Sequence, residues 1–250
     1  MPVDIHNPAN PSEVVGTFPT MVPEDVPAMM ANAHKAQREW ARMPQPERGK
    51  IVDAFLDALE TRIEDIATAI TREMGKIIGE SRGEVNKALG EARATTRRAS
   101  APIGEVLPSQ KPGTVTYSTR RPRGVIVGIN PWNFPFSTPI RKTIPALVYG
   151  NAIVLKPSIS TPGAAFIMQE VADQILPKGL FQIAYGSGSL GGVLTAAQGV
   201  NAISFTGSVG IGRIVAQAAA ANLAEISLEL GGKNPAILND ASDLDATLDQ

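Results

Sequence analysis

The 250-residue sequence contains no cysteine and only two histidines, His6 and His34. Without a thiol, these residues provide no disulfide bond, no thiolate zinc site and no thiol nucleophile. The sequence also has no H-E-x-x-H, G-x-S-x-G or G-x-x-x-x-G-K-[ST] pattern. These absences argue against a zinc protease, a serine hydrolase of the nucleophile-elbow type and a P-loop NTPase. We therefore expect no metal site.

Neither sign of charge dominates, because 23 basic side chains stand against 24 acidic ones. This balance gives no basic surface for nucleic acid, so we expect no nucleic-acid partner. Long apolar runs are also missing, since the nearly uncharged stretch 143–155 is too short to span a bilayer. The first residues show no basic segment followed by an apolar one, as a signal peptide would. We expect no membrane association and a cytoplasmic location.

Residues 1–100 are predicted to form an extended arm followed by the N-terminal helices. Prolines in the first 22 residues disfavour helix and favour an extended chain with an edge strand near residues 14–18. One helix carries Val26 to Trp40, whose methionine and tryptophan side chains are interpreted as core filling. Apolar residues from 51 to 70 recur at spacings of three and four, which predicts a single helix of about five turns. A third helix is expected near residues 80–100.

After residue 100 the chain has two regions with different sequence patterns. Residues 101–122 place prolines and glycine between short β-prone pieces, which predicts a bridging hairpin. From residue 123, short continuous apolar runs alternate with helical segments, a pattern typical of parallel strands buried on both faces. The sequence thus predicts an α/β fold, an open, parallel, Rossmann-like five-stranded sheet with N-terminal helices and a bridging β-hairpin. The predicted strands are 124–129, 152–155, 182–185, 202–205 and 226–230, and the predicted helices are 137–149, 162–176, 189–198 and 209–223.

Ligands of such sheets bind beyond the carboxyl ends of the strands, so we searched the residues that follow each strand. Asn133 follows the first strand between two prolines, which stiffen the loop around it. A fixed amide donor can stabilise an oxyanion, and an ordinary turn residue is the alternative. Lys156 follows the second strand, where it suits a ribose or a phosphate; a solvated lysine is the alternative.

Glycine-rich turns follow the third and fourth strands. Segment 186–191 matches G-x-G-x-x-G, but it follows the third strand and has no acidic residue about 20 positions later, so its support for a dinucleotide is weak. Gly207 and Ser208 precede a helix whose free N–H groups can bind an anion, and plain capping by Ser208 is the alternative. Glu229 ends the fifth strand, where a partly desolvated carboxylate suits a general base; an ion pair with Lys233 is the alternative.

Taken together, four motifs resemble the aldehyde dehydrogenase superfamily in order and spacing, and the resemblance covers essentially the whole chain. It implies that Asn133 is the side-chain half of an oxyanion hole and that Glu229 activates water as general base. It also implies that Lys156 contacts the adenosine ribose and that Gly207 and Ser208 hold the pyrophosphate. The motifs are Pro131-Trp132-Asn133-Phe134-Pro135, Lys156-Pro157-Ser158, Phe205-Thr206-Gly207-Ser208 and Leu228-Glu229-Leu230-Gly231-Gly232-Lys233. The implied cofactor-binding residues are Ile129, Asn130, Pro131, Trp132, Lys156, Ser158, Ile159, Gly186, Gly188, Phe205, Thr206, Gly207, Ser208, Gly212, Leu230 and Gly231.

The sequence departs from the superfamily at the nucleophile, a cysteine that lies well beyond the position of Glu229 in the family. Here 21 residues follow Glu229, and none is cysteine. We expect the N-terminal half of an NAD(P)-dependent aldehyde dehydrogenase, inactive by itself. The alternative is a non-catalytic dinucleotide-binding or interaction module. The predicted regions are an arm with helices at 1–100, a bridging and oligomerisation hairpin at 101–122, the NAD(P)-binding core at 123–232 and a stub of the catalytic domain at 233–250.

Two further residues bear on the choice of ligands. Ile159 stands where many NAD-using members have a glutamate, so we expect NADP to be accepted at least as well as NAD. Arg141 lies on the helix after the Asn133 loop, where its fork suits the carboxylate of a semialdehyde; a surface arginine is the alternative. The resemblance implies a small-molecule aldehyde as substrate of the intact enzyme and a homo-oligomeric parent.

Overall fold

A computed structural model describes residues 2–235, 237 and 243, so most of the predicted stub at 233–250 lies outside the described residues. Nine strands and eight α-helices are found in this part of the chain. The strands are β1 Val3–Asn7, β2 Asn10–Phe18, β3 Val106–Leu107, β4 Thr116–Tyr117, β5 Val125–Ile129, β6 Ala152–Lys156, β7 Phe181–Ile183, β8 Ala202–Gly207 and β9 Glu225–Leu230. The helices are α1 Val26–Arg42, α2 Gln45–Glu60, α3 Ile63–Met74, α4 Ile78–Thr96, α5 Ser137–Val148, α6 Gly163–Ile175, α7 Gly188–Ala196 and α8 Val209–Ala221.

The centre of the fold is a five-stranded parallel sheet in the order β7-β6-β5-β8-β9. The predicted α/β fold is confirmed, because each predicted strand and each helix between strands is present near its predicted place. The chain enters the sheet at β5 and moves outward through β6 to β7. It then returns to the other side of β5 to form β8 and β9. This reversal places the topological switch point between β5 and β8, where open α/β sheets bind their ligands.

The strand register brings the sequence motifs together at the carboxyl edge of the sheet. Ile129 at the end of β5 is the register partner of Lys156 on one side and of Phe205 on the other. Thr206 is in turn the register partner of Glu229 on β9. Because neighbouring strands lie about 4.8 Å apart, these motifs share one short stretch of the edge.

The single helix predicted over 51–70 is wrong, because the chain breaks into α2 and α3. The Thr61 hydroxyl donates to the carbonyl of Ala58 at 2.7 Å, and Arg62 leaves the helical conformation with φ −109° and ψ 17°. A hydroxyl that bonds to the backbone of the preceding turn competes with the helical ladder. The apolar spacing of four residues continues across the break, so the sequence pattern conceals it.

Strand β9 contradicts the expectation that all five strands are buried on both faces. None of its six residues is fully buried, and Leu230 is 40% exposed. β6 shows the contrast, because it has neighbours on both sides and all five of its residues are buried. β9 lies at the end of the sheet order, where one side has no neighbouring strand in the described chain, and α8 packs against it.

The N-terminal arm and helices contact α5 and α6, which flank this sheet, through aromatic side chains. In the arm, β1 and β2 form an antiparallel pair. Phe18 of β2 packs against Phe166, with 4.9 Å between the two ring centroids. Trp40 of α1 is buried, as expected for core filling, and its indole N–H donates to the carbonyl of Leu147 at 2.7 Å. The predicted hairpin is present as the exposed antiparallel pair β3–β4. In residues 2–235, no helix is long and apolar enough to cross a membrane.

Candidate active site

Lys142 of α5 occupies the switch point, although the sequence analysis gave it no role. Its Nζ donates to the hydroxyls of Ser204 at 2.9 Å and Thr206 at 2.8 Å, both on β8. A Cβ added to Gly128 of β5 would lie 3.5 Å from Cδ of Lys142, an ordinary contact distance, so the lysine stem lies next to this strand. Burial lowers the pKa of Lys142 to about 8, and the nearby charge of Glu229 opposes this shift.

Glu229 lies beside Thr206 on the exposed edge strand. The sequence analysis expected a partly desolvated carboxylate, and that expectation is wrong because the edge position leaves this residue exposed. No ion pair with Lys233 forms within the described residues, so the alternative interpretation also fails there. The general-base role of Glu229 stays a prediction.

Lys156 is buried, with only 6% of the residue exposed, so the alternative of a solvated lysine is wrong. Its Nζ donates to the carbonyl of Pro157 at 3.3 Å, and burial lowers its pKa. Within residues 2–235, no carboxylate pairs with it. A Cβ on Gly191 of α7 would lie 3.4 Å from its Cδ, so the lysine stem lies close to the last glycine of the G-x-G-x-x-G segment. The ammonium keeps donors free for an incoming acceptor.

The loop from β5 to α5 begins with buried Asn130 and then exposes Trp132, Asn133 and Phe134. Asn130 is buried; its side-chain N–H contacts the Gly128 carbonyl at 3.5 Å, and its Oδ1 has no partner in the described chain. A buried acceptor without a partner indicates a polar group still to be supplied. Asn133 and Trp132 are exposed, and the Trp132 carbonyl accepts a hydrogen bond from the Thr161 hydroxyl at 3.3 Å.

The glycine-rich turn before α8 combines capping with close packing. Ser208 caps α8, since its Oγ accepts the N–H of Ile211 at 3.4 Å. The other N–H groups of the first turn precede the helical ladder, so capping leaves them available to an anion. Gly212 lies against β9, where an added Cβ would come within 2.6 Å of Cδ2 of Leu230. Both predicted properties of this turn, capping and a surface for an anion, are therefore compatible.

The remaining predicted residues lie around this edge with less specific contacts. Gly186 follows β7 under the Leu190 side chain, and Gly188 opens α7 with free space around it. The set is completed by partly buried Ile129, Pro131, Ser158 and Thr206, buried Phe205, and exposed Ile159 and Gly231.

Arg141 lies apart from this group. Its Nε and Nη2 donate to the two carboxylate oxygens of Glu91 at 2.7 and 3.0 Å. The guanidinium group of Arg141, which was predicted to bind a substrate carboxylate, is thus already paired with a carboxylate of this chain. The substrate role of Arg141 stays a prediction, and it requires this pair to open.

The sequence pattern of the aldehyde dehydrogenase family matches residues 1–250. The chain belongs to the aldehyde dehydrogenase family. It is 39% identical over 246 residues to an alpha-ketoglutaric semialdehyde dehydrogenase of Bacillus subtilis (strain 168), covering 98% of this chain and 50% of that protein. It is 34% identical to a glutarate-semialdehyde dehydrogenase of Pseudomonas aeruginosa, covering 99% of this chain and 51% of that protein. The chain therefore spans about half the length of these relatives.

Solved aldehyde dehydrogenase structures share the fold of this chain. Betaine aldehyde dehydrogenase from Staphylococcus aureus in complex with NAD+ superposes with a TM-score of 0.94 at 32% identity, covering 100% of this chain and 51% of that one. An Escherichia coli NADP-dependent enzyme gives a TM-score of 0.93 at 33% identity, covering 100% of this chain and 52% of that one. The predicted resemblance is confirmed, and the family includes users of both dinucleotides.

The carboxyl edge of this aldehyde dehydrogenase chain offers groups that fit a dinucleotide. Lys156 has spare donors, the buried Oδ1 of Asn130 has no partner, and the first turn of α8 presents N–H groups behind Ser208. They come from three places on either side of the switch point. No group of three histidine, aspartate or glutamate side chains in the described part of the chain is placed to hold a metal ion.

Proposed function

We propose that this chain is the cofactor-binding half of an NAD(P)-dependent aldehyde dehydrogenase that oxidises an aldehyde to a carboxylic acid. The observation that carries the proposal is the carboxyl edge, where Lys156, Lys142 and the Ser208 turn meet around the switch point in a chain of this family. The named relatives act on semialdehydes, which supports a carboxylated semialdehyde as substrate. We also propose a homo-oligomer in the cytoplasm, with the hairpin at 101–122 joining subunits.

Each proposed binding role follows from the chemistry of the side chain in its place. Lys156 would donate to hydroxyls of the adenosine ribose from its buried position. Gly207 and Ser208 would present the first-turn N–H groups of α8 to the pyrophosphate, because a helix N-terminus favours negative charge. A bound nicotinamide dinucleotide supplies the acceptor for the hydride.

Each proposed catalytic role belongs to a residue beside the switch point. Asn133 would donate a side-chain N–H to the aldehyde oxygen, which becomes negatively charged when a nucleophile adds to the carbonyl carbon. Glu229 would accept a proton from the water that releases the acid. Lys142, held by the hydroxyls of Ser204 and Thr206 on β8, would place a positive charge near this carboxylate. The nucleophile must come from outside these residues, because they contain no cysteine.

For the cofactor, we propose that NADP is accepted at least as well as NAD. The side chain of Ile159 is exposed beside Ser158 and can neither bond ribose hydroxyls nor repel a 2′-phosphate. A hydrogen bond to a charged group contributes roughly 1.5–3 kcal/mol, so a glutamate here would change affinity by about tenfold or more. Calorimetric titration of the chain and of Ile159→Glu with both dinucleotides tests this. The variant should lose NADP affinity and gain NAD affinity, with Ile159→Gln as the uncharged control. Clearly tighter binding of NAD by the unchanged chain would contradict the proposal.

Catalysis distinguishes this function from the second candidate, a non-catalytic dinucleotide-binding or interaction module. The purified 250-residue chain should form no NAD(P)H from an aldehyde. Addition of a cysteine-bearing second half of the family in trans should restore turnover, and Arg141→Ala should then reduce the preference for a semialdehyde over a neutral aldehyde. Dinucleotide binding with no restored turnover would support the module. Absence of binding to either dinucleotide would overturn both.

A further inference from the structure

A buried carboxylate from another helix caps the helix that follows the Asn133 loop. Glu84 of α4 has a side chain that is only 2% exposed. Its Oε1 accepts the backbone N–H groups of Phe136 and Ser137, each at 3.0 Å. These residues begin α5, where N–H groups have no partner within the helix and attract negative charge. Glu84 therefore fixes one end of the loop from outside it.

The middle of this loop is held by the cation that pairs with Glu84. Lys76 follows the end of α3, and its Nζ lies 2.6 Å from Oε2 of Glu84. The same Nζ donates to the backbone carbonyl of Asn133 at 3.1 Å and lies 4.3 Å from the centroid of the Phe134 ring. One ion pair thus contacts the loop in its middle, at Asn133, and at its end, where α5 begins.

The side-chain amide of Asn133 has no such support. In residues 2–235, no hydrogen bond holds this amide, and the residue is exposed. Its direction is therefore set by the backbone to which it is attached. That backbone is tied through its own carbonyl to Lys76.

We propose that Lys76 and Glu84 are positioning residues, which hold the backbone of the Asn133 loop so that the amide of Asn133 points to a fixed place. The inference rests on the proposed oxyanion role of Asn133. Such a donor is effective because it needs no reorganisation during the reaction. Displacement of a reacting group by about 1 Å can reduce a rate by about 100-fold.

The competing explanation is that the ion pair only stabilises the fold, and a double substitution separates the two. Lys76→Met keeps the aliphatic stem near Phe134 but leaves Glu84 buried without its cation. Glu84→Gln keeps an oxygen for both N–H groups of α5 but leaves Lys76 without its anion. The double variant restores neutrality and packing, so its thermal stability should return most of the way to that of the unchanged chain. The hydrogen bond to the Asn133 carbonyl remains lost.

The measurement is the backbone order parameter of Asn133 in the isotope-labelled 250-residue chain, with Val127 of β5 as the rigid reference. We expect the value at Asn133 to fall from about 0.85 towards about 0.6 in Lys76→Met and in the double variant. Lys50→Met, the same change on an exposed lysine of α2, should leave it unchanged. An order parameter at Asn133 that recovers together with stability in the double variant would overturn the proposal.

A kinetic measurement completes the test once turnover has been obtained with the second half in trans. The double variant should reduce kcat by about 10- to 100-fold with little change in KM, since the loop acts on the reacting carbonyl. An unchanged kcat would overturn the positioning role. The order parameter needs no turnover, so a failure of the proposed catalytic function is distinguishable from a failure of this inference.

Discussion

Glu73 makes the stability of this fold depend on pH in a direction opposite to that of a paired carboxylate. It lies on α3 with 8% of the residue exposed, and its two carboxylate oxygens accept the N–H of Gly163 at 2.9 and 3.0 Å. Burial raises its pKa from 4.5 to about 7, although the hydrogen bond from Gly163 opposes the rise. The folded chain therefore keeps a proton that the unfolded chain has already released.

The sign and the size of the effect follow from that difference. Below pH 4.5 both states are protonated and the full stability is present. As the pH rises from 4.5 towards about 7, the unfolded chain ionises first and stability is lost. A rise of this size in pKa corresponds to about 3 kcal/mol in the free energy of unfolding.

Urea denaturation of the chain and of Glu73→Gln across this pH range tests the argument. Glutamine cannot ionise, so the free energy of unfolding of the variant should not fall with this titration. Relative to the unchanged chain, it should rise by about 3 kcal/mol from the acidic to the neutral end of the pH range. Glu24→Gln makes the same chemical change at an exposed site and controls for the loss of a surface carboxylate. A stability difference between the chain and Glu73→Gln that stays constant with pH would refute the reasoning.

Two more predictions concern the edge around the switch point. Gly210→Ala on α8 has free space and should raise the free energy of unfolding by up to about 0.5–1 kcal/mol through helix propensity. Gly212→Ala on the same helix should lose that gain, because the added Cβ meets Cδ2 of Leu230 at 2.6 Å and the leucine must shift, and thermal unfolding of both variants measures the difference. Lys142, with its pKa lowered to about 8, should be acylated by a small anhydride with a midpoint of labelling near pH 8, as peptide mass mapping at several pH values would reveal. A midpoint of labelling for Lys142 near its ordinary 10.5 would contradict the described burial.

The sheet could be predicted from the sequence because its strands are short, continuous and separated by turn residues. Runs such as 152–155 have no polar alternation, and that pattern requires burial on both faces. The motif residues could be placed at one edge because all parallel strands point the same way. The same logic failed for β9, since an apolar run does not say whether a strand lies at the centre or at the end of the sheet.

Other features depend on contacts between residues far apart in the chain. Lys142 looked like an ordinary helical lysine, and its partners Ser204 and Thr206 are set by how α5 packs on β8. Glu84 lies in the helix expected near residues 80–100, where nothing in the sequence singles it out, yet its carboxylate is buried against α5. No periodicity or local motif encodes such pairings. A buried charge could be suspected from sequence only after the neighbouring elements are known.

The strand order also has a consequence for the sequence of events during folding. Ile126 pairs with Ile153 of β6 and with Ala202 of β8, which is nearly three times as far along the chain. Closing the longer loop costs about 1 kcal/mol more entropy, and α6, β7 and α7 must be accommodated before β8 can dock. The unit β5–β6–β7 should therefore acquire protection from hydrogen exchange first, and β8 should join it late. The ligand crevice lies between β5, which belongs to the unit formed first, and β8, which joins late. It should therefore be among the last parts of the molecule to form.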